Sequence, residues 1–249
     1  MRPIIGTSMV VACAFLAAAC DKDAQTDKQV TTRTASGEAS TSISGDSADN
    51  RGQALVRVVN AAASAPNVTV RADEMHAIPS VDYKKVTAYH PIDRNWATFQ
   101  ISGAPDGTYM PLETNREMLT DGHRYTIVVM QANDGPGYAT RVVRDDISSD
   151  MTKSHLRVIH AASGIDEVNV VAKGGETIFA GVNFSSEAGY KDIMPWSGTL
   201  EFRTEGTKRL LLSMPKMSLE AGKSYTVVLA RSANGKADAF WFEDEQGMR

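Results

Sequence analysis

The chain has little cysteine, few aromatic residues and no excess of positive charge. Its only two cysteines are Cys13 and Cys20, so the 229 residues that follow position 20 can form no disulfide. Because disulfides are the usual reinforcement of small exported domains, stability must come from hydrophobic cores. A formal net charge of -4 argues against nucleic-acid binding, which needs clustered Lys and Arg to neutralise phosphates.

Helical periodicity is also missing after residue 50, where the apolar runs are short, β-branched and bounded by turn residues. This pattern argues against a helical bundle and is typical of short strands. The runs in the first half of the chain are Leu55–Val59, Val68–Val70, Thr98–Ile101, Tyr125–Met130 and Tyr138–Val143.

The N-terminal segment, residues 1–19, is predicted to be a signal peptide. A short, positively charged segment with Arg2 is followed by the apolar run Ile4–Ala19. The charged residues Asp21 and Lys22, directly after Cys20, end the apolar segment. The run is shorter than the roughly 20 residues that a membrane-spanning helix requires. We therefore expect an exported protein.

The end of this segment, Leu16–Cys20, resembles the lipobox of bacterial lipoproteins, with its large aliphatic residue at Leu16, one position earlier than usual. The resemblance implies that Cys20 becomes the first mature residue and carries acyl chains, which anchor the protein to a membrane. It implies a place in the bacterial cell envelope, periplasmic or surface-facing. Asp21 resembles the inner-membrane retention signal of enteric bacteria, a rule that other bacteria do not share, so the choice between inner and outer membrane stays open.

Residues 20–53 are dominated by Ser, Thr, Asp, Ala, Lys and Gly, with Val30 and Ile43 as their only large aliphatic residues. Such a composition cannot bury enough apolar surface to offset the entropy of ordering. We predict a lipidated N-terminus and a disordered tether whose reach as a coil is about 30 Å.

The rest of the chain is a duplication with a period of about 100 residues. Arg57–Ala62 (Arg-Val-Val-Asn-Ala-Ala) returns as Arg157–Ala162 (Arg-Val-Ile-His-Ala-Ala), and Leu119–Val129 returns as Leu219–Leu229. A repeat of this length predicts a domain with its own core, and we place the two domains at residues 54–149 and 150–249.

The predicted fold class is all-β, with two tandem immunoglobulin-like (Greek-key) β-sandwiches. Turn residues at Asp134–Gly137 and at Asn234-Gly235 lie between apolar runs and predict hairpins. Leu, Gly and Tyr at 119, 122 and 125 recur at 219, 222 and 225. This spacing is typical of a tyrosine corner and gives Tyr125 and Tyr225 a structural role.

These repeated strings resemble the DUF4397 domain, a domain of unknown function in exported bacterial and archaeal proteins. The resemblance covers both copies, from about residue 54 to residue 245, and is carried by the Arg-Val motifs and by Gly-x-x-Tyr-Thr-[Ile/Val]-Val. It implies tandem sandwich modules on the cell envelope and no established catalytic residue.

Catalytic chemistry finds little support in the sequence. His160 lies close to Ser163 and Asp166, but three residues on one strand and its following turn do not normally converge into a triad. Because Asn60 occupies the equivalent position in the first copy, we expect a polar side chain that bonds the backbone after the first strand. We predict no catalytic residue, and a hydrolase would need a pocket that brings His160 to an acid and a nucleophile.

Metal binding is not predicted either. The five histidines lack the spacing of a zinc site, and the prediction is no metal and no cofactor. Acidic residues end both copies, at Asp145-Asp146 and at Glu243–Glu245. Such clusters collect calcium in some proteins, but they also discourage pairing at sheet edges, which is the interpretation favoured here.

The function predicted from sequence is that of a lipid-anchored, non-catalytic structural or interaction module. Its partners would be the membrane, through the lipid, and an envelope protein or a glycan. The alternative is a carbohydrate-binding module, for which Trp96 and Trp196 would have to be exposed. Core positions are favoured for both tryptophans.

Overall fold

The computed structural model describes residues 52–65, 67–72, 77–93, 95–103, 112–134, 137–148 and 150–244. Within those ranges every regular element is a β-strand. The predicted signal peptide, Cys20 and nearly all of the predicted tether lie outside the described residues. The described part contains no helix that is long and apolar enough to cross a membrane.

The described residues form ten strands in the first copy and ten in the second. The strands of the first copy are β1 (Ala54–Asn60), β2 (Asn67–Arg71), β3 (Ala77–Asp82), β4 (His90–Ile92), β5 (Trp96–Ala97), β6 (Gln100–Ser102), β7 (Leu112–Glu113), β8 (Glu117–Met118), β9 (Arg124–Gln131) and β10 (Tyr138–Arg144). Those of the second copy are β11 (Ser154–His160), β12 (Glu167–Ala172), β13 (Thr177–Asn183), β14 (Ser186–Ile193), β15 (Trp196–Gly198), β16 (Leu200–Thr204), β17 (Leu210–Ser213), β18 (Met217–Leu219), β19 (Ser224–Arg231) and β20 (Ala237–Asp244).

Each copy forms a sandwich of two four-stranded sheets. In the first copy the sheets have the orders β10-β9-β1-β4 and β3-β2-β6-β7, and in the second β14-β11-β19-β20 and β13-β12-β16-β17. A two-stranded pair, β5-β8 or β15-β18, completes each copy. The first strand of each copy runs parallel to the penultimate one, so the chain crosses between sheets. This confirms the predicted fold class of two tandem immunoglobulin-like β-sandwiches.

Strand alternation builds a separate core inside each sandwich. Val56 and Val58 on β1 pack with Phe99 and Ile101, whereas Leu156 and Val158 on β11 belong to the equivalent core of the second copy. Successive side chains on a strand point to opposite faces of its sheet. The residues between these valines must therefore face away from their own sandwich.

Those outward-facing residues form a third core, which lies between the two copies. Val59 and Ala61 from the first copy pack with Ile159, Ala161 and residues of the other central strands. Every residue of β11 is buried, as are all but one of β1, because each strand is covered on both faces. The two sandwiches therefore share an apolar interface made by their Arg-Val motifs.

The central strands of the two copies run in the same direction. Ala62, just after β1, forms a parallel bridge with Arg231, the last residue of β19, and β19 is itself parallel to β11. The starts of β1 and β11 consequently lie at the same end of the pair. We call this the entry end and define it by Gln53 and by the turns 119–125 and 219–225.

The entry end is held by the two tyrosine turns. The Tyr125 hydroxyl accepts a hydrogen bond from the Thr120 backbone N–H at 2.9 Å, and the Tyr225 hydroxyl accepts one from Glu220 at 3.2 Å. In the first turn Gly122, which lies between Thr120 and Tyr125, adopts φ +73°, a left-handed conformation that favours glycine. Its N–H also bonds the Gln53 carbonyl, which fixes the chain where it enters the first sandwich. This is the geometry that the tyrosine-corner interpretation requires.

Tyr225→Phe tests that interpretation. The substitution keeps the buried ring and removes only the acceptor of the Glu220 N–H, so we expect a loss of about 1 kcal/mol in the free energy of unfolding. Urea unfolding of the full chain measures it, and Tyr125→Phe should have a similar effect. Unchanged midpoints for both variants would show that the hydroxyls contribute nothing.

Candidate functional site

A buried cluster of charged residues crosses the interface between the sandwiches. Each copy contributes an arginine, a threonine and an aspartate: Arg57, Thr126 and Asp145 from the first copy, and Arg157, Thr226 and Asp244 from the second. The arginines lie on the first strands, at positions that alternation turns away from their own cores. Strand pairing then places the threonines beside them, with Arg57 opposite Thr126 and Arg157 opposite Thr226.

The shortest ion pairs run between the copies, and longer ones run within a copy, at 3.6 Å for Arg57–Asp145 and 3.8 Å for Arg157–Asp244. Arg57 Nη2 bonds Asp244 Oδ1, and Arg157 Nη1 lies 2.6 Å from Asp145 Oδ1. Within a copy, each arginine donates through Nε to the threonine hydroxyl, at 2.9 Å for Arg57 and 2.8 Å for Arg157. The cluster thus has approximate twofold symmetry, and each half is completed by the other copy.

The threonines orient the two aspartates. Thr126 Oγ1 lies 2.7 Å from Asp145 Oδ2, and Thr226 Oγ1 lies 2.8 Å from Asp244 Oδ2. The Thr126 hydroxyl therefore accepts from Arg57 and donates to Asp145. Together these bonds satisfy groups that would otherwise be buried without partners.

Aromatic rings cover the guanidinium groups. The Arg57 guanidinium lies 4.7 Å from the centre of the Tyr89 ring and 4.9 Å from that of Phe242, and the Arg157 guanidinium lies 4.7 Å from Tyr190. The Tyr89 hydroxyl also donates to Asp145 at 2.6 Å. Cation–π contact of this kind is stronger where water is excluded.

Electrostatics keep the cluster ionised in spite of its burial. Burial alone would raise the pKa of Asp145, but Arg157 and Arg57 outweigh it and hold that pKa below its usual value. Burial would likewise lower the pKa of Arg157, but Asp145 and Asp244 raise it. Two positive and two negative charges balance, which is the condition under which buried ions are tolerated.

This arrangement corrects the interpretation of the acidic strand ends. The prediction that they act as solvated charges at sheet edges is wrong for Asp145 and Asp244, whose side chains are fully buried and paired with arginine. It fits Asp146, which is exposed beside Arg144. In the described part of the chain, no group of three or more His, Cys, Asp or Glu is placed to hold a metal ion.

His160 lies inside the fold and is fully buried. Its Nδ1 accepts the Ala162 backbone N–H at 3.2 Å, and Asn60 Oδ1 accepts the equivalent bond from Ala62 at 2.9 Å. The structure therefore contains the backbone bond that the two copies predicted. Burial lowers the pKa of His160 to about 4, so the ring is neutral at pH 7. Its burial also removes His160 from the surface available to a ligand.

The two tryptophans differ in exposure. Trp96 begins β5 and is 48% exposed, with the Arg116 guanidinium 5.3 Å from its ring centre. Trp196 begins β15, is half-buried and packs on the core of the second sandwich. The expectation of a core position is thus wrong for Trp96, whose cross-strand partner Met118 is itself exposed, whereas Trp196 pairs with the buried Leu219.

An open groove of about 430 Å³ lies beside the edge strand β3. Its lining includes Ser80, Asp82, Lys85 and His90, and burial lowers the pKa of His90. In the second copy β14 pairs with β11 from Ile193 to Ser186. Its counterpart β4 pairs with β1 from Ile92 to His90, and the segment before β4 continues the contact through the Val59–Val86 bridge and the bond from the Thr87 N–H to the Val58 carbonyl.

The charge cluster escaped prediction from sequence, although its signal is present. An arginine stands in each apolar first strand, and Thr126 and Asp145 recur as Thr226 and Asp244. The copies differ at Asn60 and His160, whereas the cluster is built from polar residues that both copies keep.

Asp145→Asn tests the cluster. The substitution leaves two buried arginines with a single carboxylate, so we expect the free energy of unfolding to fall by about 3 kcal/mol or more. Urea unfolding followed by circular dichroism measures the change.

The adjacent Asp146→Asn is the matched control. Asp146 is exposed and, among the described residues, pairs with Arg144, so its loss should change stability by less than about 0.5 kcal/mol. Equal effects of the two substitutions would contradict a special role for Asp145.

His160→Asn tests the pH dependence. The pKa of His160 is about 4 in the folded chain against an ordinary 6.5, so the unfolded chain binds a proton first as the pH falls. Stability should therefore be full above about pH 6.5 and decline by up to about 3 kcal/mol toward pH 4. Below this window the loss from Asp145, whose folded pKa lies under its usual value, takes over.

His160→Asn carries the first copy's residue at this position, so it should keep the backbone bond to Ala162. It should also reduce the fall in unfolding free energy between about pH 6.5 and about pH 4. Unfolding free energies measured from about pH 7 to about pH 4 check this. An identical slope in both proteins would assign the acid sensitivity to other groups.

Comparisons with known proteins identify the family. The family model described as "Domain of unknown function (DUF4397)" matches residues 54–171 and 154–249. No curated protein matches the chain. Two solved structures are similar, each with 10% identity over 78% of this chain. One is a candidate cell adhesion protein of Bacteroides uniformis, of which 99% is covered, with a TM-score of 0.23. The other is a family CBM26 carbohydrate-binding module of Eubacterium rectale in complex with maltoheptaose, of which 98% is covered, with a TM-score of 0.24. The two family matches span both sandwiches, and the chain therefore belongs to the DUF4397 family, of which it contains two copies.

Proposed function

We propose that this protein is a lipid-anchored module of the bacterial cell envelope that acts by interaction and catalyses no reaction. The observation that carries the proposal is that the charged residues kept in both copies are buried and paired with one another. Arg57, Arg157, Asp145 and Asp244 bond one another inside the interface and present no group to a substrate. The Leu16–Cys20 motif supplies the anchor.

The interface suits a rigid double module. Besides the charge cluster, the Gly164 N–H donates to Asn133 Oδ1 of the other copy at 2.7 Å, and Lys84 pairs with Asp238. Both of these bonds lie at the end opposite the entry end, and together with the charge cluster they resist rotation of one sandwich against the other. A fixed spacing between two sandwiches is useful in a structural or adhesive role, where a partner must meet both at once.

A glycan-binding module is the second candidate, and one observation favours it. Trp96 presents nearly half of its surface to solvent beside Arg116. An exposed indole is a common platform for a sugar ring, and a neighbouring guanidinium can donate to hydroxyl or acidic groups. A hydrolase centred on His160 has no comparable support, since that ring is buried.

Tryptophan fluorescence distinguishes the two candidates. Acrylamide should quench Trp96 in the full chain, because it is exposed. Under the interaction-module proposal, soluble envelope glycans leave the emission unchanged. A saturable glycan-induced change in emission that disappears in Trp96→Phe would favour the second candidate. Trp196→Phe is the control, because it keeps Trp96 and should therefore keep the glycan-induced change.

The anchor has a separate test. Cys20→Ser should move the protein from the membrane fraction to the soluble fraction and remove the mass of the acyl chains. Unchanged mass and membrane retention would contradict lipidation at Cys20. Crosslinked capture from native envelopes, compared with Cys20→Ser, then identifies a partner.

A further inference from the structure

Large exposed apolar side chains are concentrated at the entry end. Among the described residues six such side chains are exposed, and four of them lie at this end: Trp96 at 48%, Met118 at 59%, Met151 at 66% and Met194 at 64%. Leu210 at 46% begins β17 at the opposite end, and Trp241 at 41% lies within β20. A concentration of this kind on a folded protein usually marks a contact surface.

Strand pairing places these four side chains near the starts of β1 and β11. Trp96 and Met118 are cross-strand partners, and Leu119, directly after Met118, donates to the Asn95 carbonyl. Met194 follows the residue that pairs with the first residue of β11, and Lys153 Nζ lies 2.9 Å from its sulfur. The Met151 side chain borders Gly222 in the second tyrosine turn.

The predicted lipid anchor joins the body at this same end. The Gln53 carbonyl is bonded by Gly122 of the first tyrosine turn, so the chain arriving from Cys20 enters beside the apolar side chains. The tether predicted from sequence has about 33 residues and an expected reach of about 30 Å as a coil, a length that would keep the bilayer close to the entry end. Such confinement raises the local concentration to the order of 1 mM, at which a weak contact is populated.

We propose that the entry end is a membrane-contact surface, where Trp96, Met118, Met151 and Met194 enter the interfacial region of the bilayer on which Cys20 is anchored. The proposal rests on the lipid anchor proposed above. Tryptophan prefers the membrane–water interface because its ring is amphipathic, and methionine is an adaptable apolar side chain.

The charges around the surface decide which lipid to test. Basic and acidic residues are mixed there, with Arg116, Lys153 and Lys223 close to Asp121, Asp192 and Glu220. This balance gives no strong preference for anionic lipid. The contact should therefore form on zwitterionic phosphatidylcholine vesicles, and a requirement for anionic lipid would overturn its apolar basis.

Depth-dependent fluorescence quenching tests the proposal on the full-length lipidated protein, reconstituted in phosphatidylcholine vesicles with brominated acyl chains. The probe variant keeps Trp96 alone, through Trp196→Phe and Trp241→Phe. The matched control carries Leu210→Trp with all three native tryptophans changed to Phe, which moves the indole to the opposite end of the strands. We expect quenching of Trp96 to exceed that of the control about twofold or more.

Vesicle flotation on the same samples separates the two proposals. Failure to float would refute the anchor, whereas flotation with equal quenching of probe and control would refute the membrane contact alone. Met118→Gln, Met151→Gln and Met194→Gln together should reduce the quenching of Trp96 without changing flotation or the unfolding midpoint, because these side chains are exposed. Quenching of Trp96 by soluble glycan and not by brominated lipid would overturn the contact in favour of glycan binding.

Discussion

Two arginines and two aspartates that are shielded from water between the sandwiches constrain the rest of this structure. Each charge has its closest ionic partner in the other copy, since Arg57 bonds Asp244 and Arg157 bonds Asp145. A buried ion without a partner is far more costly than a surface one. Neither copy can therefore separate from the other without exposing its cluster to water or leaving a charge unpaired. The interface is consequently part of the fold and does not behave as a loose contact between independent domains.

The same constraint explains how the duplication is used. A repeat that keeps arginine, threonine and aspartate in both copies makes a self-complementary surface, as in an isologous dimer. Here both halves are in one chain, and the apolar third core surrounds the charges. The parallel course of the central strands then brings equivalent ends of the two sandwiches together. One end carries both tyrosine turns and the incoming chain, and the opposite end carries the β9-β10 and β19-β20 hairpins.

Much of the fold was predictable from sequence, and the relation between the copies was not. The runs Tyr125–Met130 and Tyr138–Val143 lie inside β9 and β10, because β-branched periodicity is a local property. The use of Arg57 depends on what covers the outer face of β1, and part of that cover, Asp244, comes from 187 positions later. Exposure likewise depends on which residues pack on a side chain. Trp96 and Trp196 therefore differ in exposure although their positions in the two copies are similar.

The sequence by itself determined the fold class, the two copies, the family and the predicted lipid anchor, since each follows from short patterns that are read along the chain. Only the tertiary structure decided that the Arg-Val motif is buried on both faces, with Val58 in the core of its own sandwich, Val59 in the core between the sandwiches and Arg57 in the shared charge cluster. It also decided that His160 is inaccessible and that apolar side chains gather beside Gln53. These are long-range properties, because burial and pairing depend on residues that meet only when both sandwiches have formed.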